Sequence, residues 1–413
     1  MSGIAVGAPR PGSTGRRHGG GGSWWVLVRA WVAGLAVLAG LALPLALATP
    51  AAAAQGGTFA YVANTLDDTV SVIDTATNTV TTTIPVGDNP LQAALTPDGK
   101  RVYVTNFGTD NVSVIDTTSN TVTDTIAVGS GPRGVAATPD GTRVYVTNVT
   151  SDNVSVIDTA TNTVTTTIPV GDGAVDVAIT PDGTRAYVTN LFDSNVSVID
   201  TATNTVTTTI PVGSFPQDLA VTPDGTRVYV VNGGSDNVSV IDTVTDTVTT
   251  TIPVGTSPLA LAITPDSAFV YVTNVLDGTV SVIDTATNTV TATIPVGTFP
   301  QGAAVTPDGT RVYVANTTSN NVSVIDTASN TVVDTIPVGT EPFGVSIGRV
   351  PATSVATCPP GSPLTGGGFQ LTGPPPNDLT SRPVDDSWEV SLTNQTSEDI
   401  TFTPYAVCAD ITP

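Results

Sequence analysis

The stretch Tyr145–Gly171, "YVTNVTSDNVSVIDTATNTVTTTIPVG", decides the fold because the chain repeats it with few changes. Its opening tyrosine recurs every 42 residues, and the seven copies begin at Tyr61, Tyr103, Tyr145, Tyr187, Tyr229, Tyr271 and Tyr313. A fixed period of this size is typical of solenoids and propellers, in which each repeat buries its apolar face against the next one.

Each repeat contains four short segments with strand patterns. In the unit around the quoted stretch, Pro132 to Thr138 is a run of small residues that ends in the turn Pro139 to Thr142. Arg143 to Asn148 and Val154 to Asp158 then alternate between apolar and polar residues, and Thr163 to Val170 is a fourth alternating segment. Four short antiparallel strands make one propeller blade, so the sequence predicts an all-β fold.

The fourth strand is expected at the outer edge of each blade. A proline stands near its end in six of the seven repeats, at Pro85, Pro169, Pro211, Pro253, Pro295 and Pro337. Because proline cannot donate to a sheet ladder, this placement suits an exposed edge strand. The first strand, rich in alanine and glycine, suits the crowded axis of the ring.

Counting the strands predicts how the ring closes. The first repeat begins at a second strand, Thr58 to Ala63, and the last repeat fragment, Pro342 to Ile347, is a lone first strand. With this fragment included, each strand type occurs seven times. We therefore expect a seven-bladed propeller in which the C-terminal strand joins the first blade and removes the open edge of the ring.

The first 54 residues have the pattern of a secretory signal. They contain no acidic residue, carry four arginines, run uncharged from Ala30 to Ala48 and end in Ala52-Ala53-Ala54. This pattern predicts a signal peptide over residues 1–54, cleaved before Gln55, and hence a secreted or cell-surface protein. The alternative is an uncleaved anchor, because the uncharged stretch is long enough to span a bilayer.

Charge and residue usage exclude several classes of function. Removing the signal's four arginines from the 13 basic residues leaves nine against 35 acidic ones, a net charge near −26 that repels nucleic acid and anionic lipid. The only histidine, His18, lies in the signal, so the mature chain has no imidazole for a Ser-His-Asp or Cys-His site. Cys358 and Cys408 are expected to form a disulfide, as two thiols of an exported chain usually do.

The spellings "YVTN", "NVSVIDTATNTV", "TIPVG" and "TPDG" resemble the YVTN family of β-propeller repeats over residues 57–348. The resemblance implies a seven-bladed propeller in an exported, surface-layer-like protein of the cell envelope, and it implies no single activity. Further on, "CPPGSPLTGGGF" and "YAVCAD" resemble a small β-rich module at the ends of exported actinobacterial proteins. The expected domains are a signal (1–54), a propeller (55–348) and a C-terminal module (349–413).

Differences between the repeats indicate one variable face. The loops after the second and fourth strands open on the same side of an antiparallel blade, and they differ most between repeats. We predict a binding face formed by their apolar residues and one arginine, namely Phe107, Phe192, Phe215, Phe299, Phe343, Leu91, Leu191, Leu259, Leu276 and Arg133. The alternative is that these side chains plug the channel mouth or pack between blades.

The opposite face is uniform, and its acids have a structural explanation. Aspartates such as Asp140 and Asp158 begin its turns, where a carboxylate accepts hydrogen bonds from backbone amides two residues on. Loops such as Asp152-Asn153 offer oxygen ligands to calcium, but no D-x-D-x-D-G loop with a distal glutamate is present. We predict no cofactor and no dedicated metal site, with at most a weak calcium effect.

Two functions remain open. The favoured one is a non-catalytic, monomeric binding scaffold for an unknown envelope component, glycan or protein, with membrane contact only if the N-terminal segment stays uncleaved. The alternative is an exported propeller enzyme, such as a lactonase-like hydrolase, a lyase or a dehydrogenase-type protein, although fold alone assigns no activity. Catalysis by carboxylates would need two acids that face each other with raised proton affinity. Asp176 and Asp218 are the one pair to test, and their matching positions predict solvated rim acids.

Overall fold

The computed structural model describes residues 56–357, 364–372, 378–384, 387–393 and 401–408, with side chains described for residues 56–351. Every regular element in this part of the chain is a β-strand. No helix within it is long and apolar enough to cross a membrane. The predicted signal peptide, residues 1–54, lies outside the described residues.

The repeats form seven antiparallel sheets of four strands, which confirms the predicted seven-bladed propeller. From the axis outward, blade 1 consists of β28 (Pro342–Val350), β1 (Gly57–Asn64), β2 (Thr69–Asp74) and β3 (Thr79–Pro85). Blade 2 consists of β4 (Pro90–Leu95), β5 (Arg101–Asn106), β6 (Asn111–Asp116) and β7 (Thr121–Ala127). Blade 3 consists of β8 (Pro132–Ala137), β9 (Arg143–Asn148), β10 (Asn153–Asp158) and β11 (Thr163–Pro169).

The remaining blades repeat this order. Blade 4 consists of β12 (Ala174–Ile179), β13 (Arg185–Asn190), β14 (Asn195–Asp200) and β15 (Thr205–Pro211). Blade 5 consists of β16 (Pro216–Val221), β17 (Arg227–Asn232), β18 (Asn237–Asp242) and β19 (Thr247–Pro253). Blade 6 consists of β20 (Pro258–Ile263), β21 (Phe269–Asn274), β22 (Thr279–Asp284) and β23 (Thr289–Pro295). Blade 7 consists of β24 (Pro300–Val305), β25 (Arg311–Asn316), β26 (Asn321–Asp326) and β27 (Thr331–Pro337).

The ring closes as the strand count predicts. β28 pairs antiparallel with β1, and Tyr61 lies opposite Ser346 in this ladder. Blade 1 therefore combines the two ends of the repeat region, so that no strand edge is left open at the junction.

The core lies between blades and follows from strand alternation. Val112 and Val114 on one side of β6 pack with Val144 and Val146 of blade 3. Ile115, on the other side of the same strand, packs into the cluster shared with blade 1. Because successive side chains point to opposite faces, the repeated "NVSVID" fills both neighbouring interfaces at once.

Five further strands follow the propeller. These are β29 (Ala352–Thr357), β30 (Leu364–Thr372), β31 (Asp378–Val384), β32 (Ser387–Thr393) and β33 (Thr401–Cys408). They form one sheet in the order β29-β32-β31 and a pair of β30 with β33. Cys358 and the side chain of Cys408 lie outside the described residues, so the disulfide stays a prediction.

Candidate functional site

Two sets of loops lie side by side on one face of the ring. The first set joins the second and third strands of each blade, and the second set leads into the inner strands. Backbone hydrogen bonds link them, for example from Phe107 N to Asn89 O and from Gly233 N to Phe215 O, each at 3.0 Å. The variable segments thus form one surface, which we call the loop face.

Large apolar side chains project from the loop face around the ring. Six of the seven blades carry one with 42–61% of its surface exposed, namely Leu66, Phe107, Phe192, Phe215, Leu276 and Phe299. Within residues 56–351, the other exposed large apolar side chains are valines of outer strands or of the opposite face. Leu66 is absent from the predicted set, although "TLDD" matches the "VLDG" loop that contains Leu276. We call these six side chains the apolar rim.

Two rim residues occupy a backbone position that does not suit them. Phe215 and Phe299 have φ angles of 50° and 56°. The equivalent residue in other blades is Asn89, Gly131, Gly173, Ser257 or Glu341, also at positive φ. A bulky residue in the left-handed region costs about 1–2 kcal/mol relative to glycine. The two exposed phenylalanines are therefore held in a strained backbone conformation.

Acidic residues of the same loops stabilise the loop backbone. Oδ1 of Asp110 accepts a hydrogen bond from Gly131 N at 2.8 Å, and Oδ1 of Asp152 accepts one from Gly173 N at the same distance. Asp172 is exposed near Asp152 and Asp193, and its pKa is raised by some loss of hydration and by these two charges. No group of three metal-binding side chains occurs in the described part of the chain.

Four of the ten predicted face residues belong to the inner strands instead of the loops. Leu91, Arg133, Leu259 and Phe343 each follow the proline that begins its inner strand, because the strand starts earlier than the variable pattern suggests. All four are half-buried, and three of them, Arg133, Leu259 and Phe343, line the axial channel just inside the loop face. For these residues, the alternative of a plugged channel mouth fits better than an exposed face. Leu191 is half-buried beside the exposed Phe192.

Arg133 crosses the mouth of the channel. Its Nη2 donates a hydrogen bond to Oε1 of Gln217 at 3.0 Å, and its guanidinium carbon lies 5.7 Å from the centre of the Phe343 ring. Arg133 belongs to blade 3, whereas these partners belong to blades 5 and 1. Burial lowers the pKa of Arg133, while Asp176 and Asp218 raise it. The space around this bridge is about 10 Å³, room for one water molecule.

Below this constriction, three polar residues converge from the inner strands. Gln92, Asp176 and Asp218 occupy the same register position in blades 2, 4 and 5. They border both the constriction and a chamber of about 150 Å³ on its far side. Aliphatic residues of the inner strands line the rest of the chamber, among them Val177, Leu261 and Val345. We call the three polar residues the channel triad.

The two carboxyls of the channel triad lie close enough for each to shift the pKa of the other. Burial raises the pKa of both groups, and for Asp218 the charge of Asp176 raises it well above the ordinary value. Backbone amides of the next blade also donate to them, Leu261 N to Asp218 Oδ2 at 2.9 Å and Leu219 N to Asp176 Oδ2 at 3.4 Å. The pair therefore keeps a proton to a higher pH than an isolated carboxyl does.

The prediction that these two aspartates are solvated rim acids is wrong. Each is half-buried, and the surface that it keeps faces the channel instead of bulk water. Both lie at a register irregularity of the inner strands, between Ala174 and Val177 in β12 and between Pro216 and Leu219 in β16. They therefore belong to strands that border the channel, whereas the repeat pattern places them in loops.

The opposite face behaves as predicted for structural turns. Oδ1 of Asp140 accepts hydrogen bonds from Thr138 Oγ1 at 2.6 Å and from Thr142 N at 3.0 Å. Asp158 likewise accepts one from Thr161 N at 2.9 Å. These bonds lower the pKa of both carboxyls, since they favour the charged form.

Two propeller families match this sequence. The family described as "Lactonase, 7-bladed beta-propeller" matches residues 86–253, and the family described as "YNCE-like beta-propeller" matches residues 25–125 and 254–349. A search of curated proteins returns no match. The lactonase-type match includes β8, β12 and β16, which carry Arg133, Asp176 and Asp218.

Solved structures share the fold. Hydrazine synthase of Kuenenia stuttgartiensis aligns with a TM-score of 0.60 at 27% sequence identity, over 65% of this chain and 92% of that chain. A functionally unknown protein from Desulfotomaculum acetoxidans DSM 771 aligns with a TM-score of 0.64 at 19% identity, over 70% of this chain and 98% of that chain. The second likeness concerns the fold alone.

Proposed function

We propose that this protein is an exported, non-catalytic binding module that recognises its partner through the loop face. The observation that carries the proposal is the apolar rim, which gathers exposed phenylalanine and leucine side chains on one face. In the isolated protein these side chains gain nothing from water, whereas burial in an interface contributes about 25 cal/mol per Å². Export is supported by the signal-like pattern of residues 1–54.

The strain at Phe215 and Phe299 supports the same function. Asparagine or glycine fills this position in three other blades and suits the positive φ better, and Ser257 and Glu341 occupy it in the remaining two. Strained backbone conformations concentrate at ligand-binding sites, because selection for binding offsets their cost in stability. The exposed rings at these two positions are thus better explained by contact with a partner than by folding.

The charge of the loop face limits the partner's chemistry. Acidic residues accompany the rim, among them Asp67, Asp172, Asp193, Asp277 and Glu341, whereas Arg133 is enclosed in the channel mouth. The face therefore favours an uncharged or basic surface, such as a neutral glycan or a protein. It disfavours nucleic acid, and the large negative charge of the chain opposes pairing of two copies, in agreement with a monomer.

Variants of the rim test this proposal directly. We would change Phe107 and Phe192 to serine and Phe215 and Phe299 to asparagine, which tolerates the left-handed region. Mature protein, Gln55 to Pro413, would be sedimented with cell envelopes of its own organism. The proposal is supported if the wild type is retained on the envelopes and the rim variant is retained at least tenfold less. The melting temperature of the rim variant should be unchanged.

A matched control changes apolar residues exposed elsewhere. Val80, Val244, Val290 and Val333 lie on outer strands or on the opposite face, so their replacement by serine should leave retention unchanged. Equal loss of binding in both variants, or a large loss of stability in the rim variant, would argue that the rim packs the fold and does not recognise a partner.

Hydrolysis is a second candidate function, favoured by one observation. Asp176 and Asp218 suit acid–base chemistry by carboxylates, since both border the channel and the pKa of each is raised. The family match over residues 86–253 makes lactones the first substrates to test. An enzyme would be established if the wild type turns over a lactone and both Asp176→Asn and Asp218→Asn lose this activity. The control Asp224→Asn, on the opposite face, should keep it.

A further inference from the structure

We propose that the channel triad is a binding site for a primary ammonium group carried on a short aliphatic chain. This goes beyond recognition at the loop face, because the triad lies on the other side of the constriction that Arg133 forms. It is also independent of the hydrolysis candidate, since it requires binding alone.

The first argument is the match between donors and acceptors. A primary ammonium group has three N–H donors and no acceptor. The triad presents oxygens of Asp176, Asp218 and Gln92, and the side-chain amide of Gln92 has no hydrogen-bond partner among the described residues. At the same register the other blades have Gly134, Ala260, Gly302 and Gly344, so the polar side chains at this level of the channel are those of the triad.

The second argument is charge. The described side chains form two ion pairs, Arg185 with Asp246 and Arg311 with Asp326, and Arg133 takes part in neither. Its guanidinium is held toward the loop face by Gln217 and Phe343. Among the described residues, no other ionisable side chain of an inner strand borders the constriction or the chamber. The two carboxyls therefore have no cation in contact, and their raised pKa favours one proton on the pair.

Binding of an ammonium would replace that proton. The ligand brings one positive charge and the pair loses one proton, so the charge of the site stays the same. The chamber, with a volume of about 150 Å³, accommodates roughly six heavy atoms, because engineered cavities of that size hold benzene. A short alkyl chain therefore fits by size. The strongly negative charge of the mature chain attracts such cations toward the protein.

The test uses n-propylamine as the probe and isothermal titration calorimetry on the mature chain. We expect saturable binding of n-propylammonium and at least tenfold weaker binding of n-propanol and propionate. Titrations in two buffers with different ionisation enthalpies should detect proton release on amine binding at a pH just above the ordinary carboxyl pKa, because the pKa of the pair is raised. A purely structural acid pair would release none.

Substitutions at the two carboxyls show whether the amine binds at the channel triad. Asp176→Asn and Asp218→Asn keep an oxygen for the backbone amides of the next blade but remove charge, and each should weaken amine binding at least tenfold. Asp224→Asn, on the opposite face, should leave it unchanged. Three outcomes would each overturn the proposal. The first is equal binding of amine and alcohol, and the second is no binding of the amine. The third is tighter binding of calcium chloride that displaces the amine. Loss of lactone turnover or of envelope retention bears on the proposed functions and leaves this result unaffected.

Discussion

The hydroxyl of Tyr313 donates a hydrogen bond of 2.6 Å to Oδ1 of Asn78, across 235 residues of sequence. The same contact links other neighbouring blades, for example Tyr103 to Asn162 at 2.8 Å. At Tyr313 it joins blade 7 to blade 1, where the chain ends meet. Ring closure thus uses the same contact as other pairs of neighbouring blades, in addition to the ladder between β28 and β1.

Two truncations should show that β28 is essential to the propeller. A chain that stops after Gly339 lacks β28 and leaves the edge of β1 unpaired, so we expect it to aggregate or to lose cooperative unfolding. A chain that stops after Pro351 keeps β28 and should unfold with a melting temperature close to that of the full mature chain. Circular dichroism during heating would measure both. Equal stability of the two truncations would contradict ring closure through β28.

The tyrosine contacts should differ in strength according to their partner. Tyr313→Phe removes a hydrogen bond to a neutral amide and should lower the free energy of unfolding by about 1 kcal/mol. Tyr187→Phe removes a bond to Asp246, whose carboxylate also pairs with Arg185 at 3.2 Å, and should cost about 2 kcal/mol. Urea unfolding of both variants measures the difference. A larger loss for Tyr313→Phe would show that ring closure depends specifically on this bond.

Gly302 should not tolerate alanine. A Cβ atom there would lie 2.4 Å from the carbonyl oxygen of Phe343 in the adjacent inner strand. Because backbone cannot rotate away, we expect Gly302→Ala to destabilise the ring by about 1–3 kcal/mol. The control is the reverse change, Ala260→Gly, at the same register in blade 6, which should cost only about 0.5–1 kcal/mol. A similarly small loss of unfolding free energy in both variants would mean that neighbouring inner strands can move apart with little loss of stability.

The acid pair should make stability fall as pH rises. The pKa of Asp218 is raised in the folded state, so unfolding releases a proton between the unfolded value of about 3.9 and the folded value. The stabilisation is complete below the lower value and is lost as pH rises through the higher one. When the pH rises from about 5 to about 8, the free energy of unfolding should therefore fall less in Asp218→Asn than in the wild type.

A turn aspartate provides the opposite control for pH. Hydrogen bonds from Thr222 and Thr226 lower the pKa of Asp224, so its contribution is present above about pH 4 and is lost on acidification. Between about pH 5 and pH 8 the stability difference between the wild type and Asp224→Asn should be constant. Urea unfolding at both pH values distinguishes the two aspartates. Parallel behaviour of both variants would contradict the raised pKa of Asp218.

The fold follows from sequence because its signals are local and repeated. Alternation in "YVTN" and "NVSVID", turn residues in "TPDG" and the fixed period together specify a blade, and the lone strand at Pro342 specifies the closure. Exposure of Phe107, Phe192, Phe215, Phe299 and Leu276 is likewise predictable, since apolar residues in variable loops have no repeat partner to pack against.

Only the tertiary structure decided which residues meet at the axis. Arg133, Gln217 and Phe343 come from blades 3, 5 and 1, and the period of the sequence does not specify contacts across the ring. The repeat pattern places Asp176 and Asp218 in loops, whereas both belong to inner strands that border the channel. Their raised pKa depends on this enclosure, since charge repulsion and loss of hydration act strongly when two carboxyls are held together away from bulk water. Sequence thus determined the ring, and the convergence of its inner strands determined the chemistry of the channel.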